Sequence, residues 1–229
     1  MSKLPPNACR LRVRYVKDGR LAYLGHLEVM NTVMRCVRRS GLPFEVGNGF
    51  ARRMRIQFSQ ALPVGASSAG EYYDLLLSDP IDADEALAAL RAATPRALAP
   101  DSARILPRRI DALEAWVNLS RWEVAVRAPG LDAEGFLAGL AAVEERGYID
   151  YMRGTKPRHI EVAGLVAGCA AEDVDGGVDL VLETRSSERG ALRPAVLVRD
   201  VCGCAPLRVC RVGQWHEDGQ GVRHDPMEG

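Results

Sequence analysis

The stretch Leu11-Arg12-Val13-Arg14-Tyr15-Val16-Lys17 alternates apolar and cationic positions. A period of two puts Leu11, Val13 and Tyr15 on one face and Arg12 and Arg14 on the other, which predicts a half-buried strand. From Gly25 the period changes. Met30, Val33 and Val37 recur at helical spacing up to Ser40, Gly25 can cap the helix, and Glu28 stands where a capping-box acid belongs. Gly41 ends this helix and Pro43 prevents its continuation. Pro43–Val46, Met54–Ser59 and Gly70–Ser78 then read as strands, Ala83–Thr94 as an amphipathic helix stopped by Pro95, and Ala103–Pro107 as a closing strand. A second round follows. Arg121–Gly130 is a strand and Asp132–Gly147 a helix. Tyr148–Arg153, His159–Val166 and Gly177–Arg185 are strands, Arg193–Gly203 is a helix with Pro194 in its first turn, and Pro206–Trp215 is the last strand.

The pattern predicts an α+β fold of two tandem ferredoxin-like (βαββαβ) units, repeated in hydrophobic pattern and not in residue identity. In both rounds the third strand position divides around a connection rich in Gly, Ala and Ser. The expected boundaries are residues 1–108 for a basic N-terminal unit, 109–118 for a linker in which IDALEAWVNL can form a helix, and 119–215 for an acidic C-terminal unit. Residues 216–229 read as a polar, disordered tail.

Composition narrows the class. The chain has 229 residues, 47% of them hydrophobic and 26% charged, which suits one large or two small globular domains. No apolar run approaches the length of a transmembrane helix, and the N-terminus has no apolar signal-peptide core, so a cytoplasmic protein with no membrane association is expected. Its six cysteines are then expected as thiols. Zero net charge hides an asymmetry. Residues 1–58 carry twelve Lys and Arg against three acids, a charge of +9 that the remainder must balance. All but Lys3 and Lys17 of those cations are Arg, which suits planar contact with phosphate. The same count also fits a basic end paired internally with acids.

Candidate chemistry sits in that basic segment. Arg35, Arg38 and Arg39 share one face of the first helix, and Arg52, Arg53 and Arg55 follow a Gly47-Asn48-Gly49 loop that could wrap phosphates. Tyr23, Phe44 and Phe50 are interleaved, a combination that suits single-stranded nucleic acid and also suits an ordinary core. His26 opens the first helix in line with Met30, Val33 and Val37, so it reads either as a packed residue or as a contact at a helix start that would attract an anion. Strand alternation sends Glu71 and Asp74 to opposite faces, so they cannot act as a pair of catalytic carboxylates. Cys202, Cys204 and Cys210, with His216 or His224, match no common zinc spacing. No metal and no cofactor is expected, and no Walker loop, nucleophile elbow or dinucleotide fingerprint is present.

Two phrases, LRVRYVKDGRLAYLGHLEVM and RRSGLPFEVGNGFARRMRIQFSQALPVGASSAGEYYDLLL, together resemble the radical SAM-linked protein family. The later TKPRHIEVAGLV and GALRPAVLV match it more loosely. Members are encoded beside, or fused to, a radical SAM protein with a cobalamin-binding-type domain. The resemblance implies a radical SAM partner and adds weight to a role for His26. It brings no established reaction. Relatives carry Ser where this chain has Gly25, and a Gly-Phe-Asn-Pro-His-type run where it reads Gly49-Phe50-Ala51-Arg52-Arg53-Met54. A second imidazole is thereby lost and two Arg are gained. The Cys-x3-Cys-x2-Cys loop of the radical enzyme is absent. The expectation is a binding or accessory protein that contacts RNA or another polyanion through Tyr23, His26, Arg35, Arg38, Arg39, Arg52, Arg53 and Arg55. The alternative is a metal-independent endoribonuclease using His26, because tandem ferredoxin-like units with a His on the first helix look like the CRISPR repeat-processing nucleases of the RAMP type.

Overall fold

A computed structural model describes residues 7–47, 50–107, 110–187 and 190–228. The fold is mixed α+β, with five α-helices among the described residues and largely antiparallel strand pairing. No helix among them is long and apolar enough to cross a membrane. The chain divides into two compact units, one of residues 1–117 with 214–229, the other of residues 118–213.

In the first unit β1 (Cys9–Lys17) leads through a short 3-10 turn, Gly19–Tyr23, into α1 (His26–Ser40). β2 (Ile56–Phe58), β3 (Ser67–Leu77), α2 (Ala83–Ala93) and β4 (Pro100–Leu106) follow, and a single-turn α3 (Leu113–Trp116) closes the segment. β1 pairs antiparallel with β3 and β4, and β3 with β2, giving the order β4-β1-β3-β2. Alternation along β1 and β3 separates two chemistries. Leu11, Val13, Tyr15, Tyr73, Leu75 and Leu77 point to one face, where Val29, Val33 and Val37 of α1 and Ala86 and Leu90 of α2 cover them. Burial of such aliphatic side chains contributes about 1.5–3 kcal/mol each. The opposite face carries Arg10, Arg12 and Arg14 of β1 with Tyr72 and Asp74 of β3, because side chains on a strand alternate.

In the second unit β5 (Leu119–Arg127) leads into α4 (Ala133–Arg146). Then come β6 (Tyr148–Arg153), β7 (Lys156–Glu161), β8 (Val166–Val174), β9 (Gly177–Ser187), β10 (Gly190–Ala191) and α5 (Pro194–Cys202). β11 (Arg208–Glu217) begins in this unit and ends in the first. β9 pairs antiparallel with β5 and β8, and β11 lies beside β5. β6 and β7 form a separate two-stranded sheet. Asp132 caps α4 by accepting the Gly135 N–H at 2.7 Å, and Gly147 ends that helix at a φ of +84°.

Several expectations change. Pro43–Val46 is not a strand: Phe44 and Val46 make isolated bridges to Leu77 and Met54. His159–Val166 is split, since β7 ends at Glu161 and a turn leads to β8. β8 itself occupies the segment read as a small-residue connection. Its cue was Asp175-Gly176, a two-residue hairpin turn that pairs Val174 with Gly177. An edge strand of small, half-buried residues shows little alternation, so its pattern was weak.

The expected linker and tail are corrected too. The division between units falls at Val117/Asn118, and the chain end belongs to the first unit. Residues 216–228 are held there by specific bonds. Arg12 Nη1 donates to the Pro226 carbonyl at 2.7 Å, Arg104 Nη1 donates to the Met227 carbonyl at 2.8 Å, and Met227 packs on Tyr72, Leu113 and Val117. His216 stacks on Trp116 with ring centroids 4.8 Å apart and bonds its carbonyl through Nδ1 at 2.7 Å. β12 (Arg223–His224) pairs with β11. In the turn between them the Asp218 carboxylate accepts from Gln220 N, Val222 N and His224. These bonds, His224 first, hold Asp218 down at about 2. A polar segment orders here because arginines offer donors to its backbone carbonyls.

Candidate anion-binding surface

Much of the N-terminal charge is used inside the first unit. Arg12 grips Asp74 with two bonds, Nε to Oδ1 at 2.7 Å and Nη2 to Oδ2 at 2.8 Å, and both side chains are almost wholly buried. Arg10 Nη1 reaches the same carboxylate at 3.1 Å, and Arg14 lies 3.5 Å from Asp101. Lys17 is buried, its Nζ donating at 2.9 Å to the carbonyls of Ala22 and Leu24. These two bonds fasten the 3-10 turn that leads into α1. Pairing with internal acids therefore accounts for three of the N-terminal cations, Arg10, Arg12 and Arg14, and Lys17 is taken up by backbone carbonyls.

The sequence-selected arginines separate into roles. Arg39 is occupied: its Nε donates to the Ala93 carbonyl at 3.1 Å and Nη2 reaches the same oxygen, satisfying the C-terminus of α2. Arg35 is exposed and bonds only within its own helix, to Thr32 Oγ1 at 3.1 Å. Arg38, Arg52 and Arg53 are exposed and make no ion pair with a described residue. Arg52 has a φ of +40°, the one positive φ outside glycine among the described residues. That conformation costs about 1–2 kcal/mol. Asn48 and Gly49 of the adjoining loop lie outside the described residues. Arg55 lies across the sheet edge from α1. It lines a groove of about 300 Å³ with Arg10, Gln57 and Asp74 on the helix-free face. The six arginines are thus not one surface: α1 carries three, one of them occupied, and Arg55 faces the other side of the sheet.

His26 is the first residue of α1, where Gly25 adopts an extended cap and donates its N–H to Glu28 Oε2 at 2.7 Å. The imidazole is half-buried and meets Phe58 edge to face, with centroids 6.1 Å apart. Tyr23, just before it, is exposed by 72%. The buried Glu71 shares the β3 face of Tyr73, while Asp74 lies on the other face. Those carboxylates do not converge.

No group of three or more His, Cys, Asp or Glu among the described residues could hold a metal ion. Burial pushes the Cys169 and Cys202 thiols up to about 11, so they are protonated and unreactive at neutral pH. In the second unit Arg121, Arg127 and Arg208 pair with Glu183, Asp179 and Glu123. A further cationic group, exposed Arg153, Lys156 and Arg158, lies in the second unit, where the surrounding acids conceal it in a count of charge by halves. Their alternation within a two-stranded ribbon was the available signal.

Among solved structures the chain is similar to an unknown protein from Galdieria sulphuraria, at 12% identity and a TM-score of 0.29, over 78% of this chain and 80% of that one. No curated protein matches. The family model described as an uncharacterized protein conserved in bacteria (DUF2344) matches residues 10–194, and the chain belongs to that family.

Proposed function

We propose that the protein is an accessory subunit of a radical SAM enzyme and binds RNA through its N-terminal unit. The observation that carries the RNA half is Arg52: an exposed guanidinium on a strained backbone, beside exposed Arg53, with no described ion pair to occupy either. Strain kept at an exposed cationic residue favours a binding role over a packing one. Arg35, Arg38, half-buried His26 and exposed Tyr23 extend the same reading to the helix side of the unit. Arg39 is left out, being bound to Ala93. The radical SAM half rests on the sequence resemblance alone.

The order β4-β1-β3-β2 with α1 and α2 on one face supports a ferredoxin-like first unit. The order β8-β9-β5-β11 with α4 against α5 supports a second, carrying β6 and β7 as an insertion.

The test is crosslinking of the purified protein to RNA, alone and with its radical SAM partner, for wild type and His26→Ala. The expected result is crosslinked, intact RNA, with weaker binding in His26→Ala and a melting temperature that barely moves. A variant that melts early yet binds normally per folded molecule makes His26 a packing residue. RNA cut without metal by the wild type, and uncut but still bound by His26→Ala, makes the protein an endoribonuclease instead.

A further inference from the structure

The ribbon of β6 and β7 has two unlike faces. Its register sets Ile149 opposite Ile160, Tyr151 opposite Arg158 and Arg153 opposite Lys156. Partners across an antiparallel pair share a face and alternate with a period of two, so these six residues lie on the same side. Ile149 is buried and anchors the base. Beyond it the face is Tyr151, half-exposed, and three exposed cations. The opposite face is engaged with itself: Tyr148 stacks on His159 at 5.2 Å, and Asp150 Oδ1 meets His159 Nδ1 at 2.7 Å.

Arg153, Lys156 and Arg158 make no ion pair with any described residue, although Arg146 nearby pairs with Asp200. Arg153 and Lys156 stand directly opposite one another, an arrangement that destabilises a strand pair. The neighbouring rung adds a third like charge with Arg158. An anion lying along this face would relieve all three. The two rungs are separated by two residues, about 6.6 Å along the strand. That is room for one phosphate chain and not for the two backbones that flank a duplex groove. The shallow hollow of about 360 Å³ on the ribbon belongs mainly to the opposite face, through Asp150, Met152, Pro157 and His159, so the stacking platform on the cationic face is the half-exposed Tyr151 ring itself.

We propose that the β6–β7 ribbon is a second RNA-binding surface, on which Arg153, Lys156 and Arg158 contact the phosphates of a single strand and Tyr151 stacks a base. The choice of RNA as the polymer rests on the function proposed above. The choice of the ribbon does not, since its cations and their lack of partners lie in the other unit.

The test uses the full chain and a labelled single-stranded RNA of about 12 nucleotides, with affinity measured from about 50 to about 300 mM salt. One variant carries Arg153→Gln, Lys156→Gln and Arg158→Gln; a second carries Arg52→Gln and Arg53→Gln. Each phosphate contact on a single strand contributes about 0.7 to the slope of log affinity against log salt. The ribbon variant is expected to bind at least about tenfold more weakly, with a slope smaller by about 2. Its melting temperature is expected to stay level or rise, because a like-charge pair is removed. A ribbon variant with wild-type affinity and slope overturns the inference. If the Arg52/Arg53 variant alone loses binding, the N-terminal reading survives that failure. If the ribbon variant alone loses it, the inference stands and the N-terminal reading falls. Wild-type protein that binds no RNA overturns both, and tighter binding to duplex DNA of equal length overturns the single-strand assignment.

Discussion

Asp74 is held by two guanidinium groups inside the first unit, and a third bond from Arg12 runs to the chain's own C-terminal segment. A buried pair of this kind contributes little net stability while intact, but losing one partner is costly. Arg12→Met should therefore destabilise the protein by about 3–5 kcal/mol in urea unfolding. Arg12→Met combined with Asp74→Leu should recover part of that loss, because the buried carboxylate goes with its partner and Arg10 keeps its bond to Gln57 Oε1 at 3.3 Å. Equal losses in the single and double variants would sink this account. Half of the arrangement was legible beforehand. Alternation already put Arg12 on the face opposite to Leu11 and Val13, and Asp74 on the face opposite to Glu71. What alternation could not supply was register, and register alone makes Arg12 and Asp74 directly opposed partners.

Among the elements, the β8–β9 hairpin and the C-terminal segment were the least legible, for different reasons. The hairpin depends on Gly177, whose φ is +158° and whose missing Cβ would sit 2.2 Å from the Val126 carbonyl oxygen. Gly177→Ala should cost roughly 2–3 kcal/mol by forcing β9 away from β5. A thermal midpoint within a degree or so of wild type would contradict it. The C-terminal segment lacks an apolar pattern of its own and is ordered by donors supplied from β1 and β4. Its contact can be read at Tyr72, whose phenol is pushed up to about 12 by burial first and then by Asp225. The folded state keeps this phenol neutral. Its contribution to stability is complete below the ordinary tyrosine value near 10 and is lost as pH rises from there toward about 12. Removing residues 218–229 should bring the Tyr72 titration, followed by phenolate absorbance, back toward its ordinary value. An unchanged titration would mean that this segment does not cover Tyr72.

For the whole chain, zero net charge is a sum of unlike parts, and the parts are not all available to a partner. Arg10, Arg12, Arg14, Lys17 and Arg39 are committed to internal acceptors. Arg35, Arg38, Arg52 and Arg53 remain exposed. If those four each meet one phosphate, RNA affinity should fall about 50-fold for a fourfold rise in salt, before any contribution from the ribbon. Affinity that is flat across that range would remove phosphate contact as the basis of binding.

Residue order alone was enough to find β1, α1, α2, α4 and α5, because periods of two and 3.6 and glycine stops such as Gly41 and Gly147 are local properties of the chain. The same local rules kept Glu71 and Asp74 apart and marked His26 as the first residue of a helix. Which cations remain available was settled by the folded arrangement. Arg39 is engaged because the end of α2 comes to α1, Arg12 because register brings Asp74 opposite, and Arg153 and Lys156 are unsatisfied because hairpin pairing sets like charges face to face. A charge count carries no distances, and pairing between charges far apart in sequence exists only once the strands are in register.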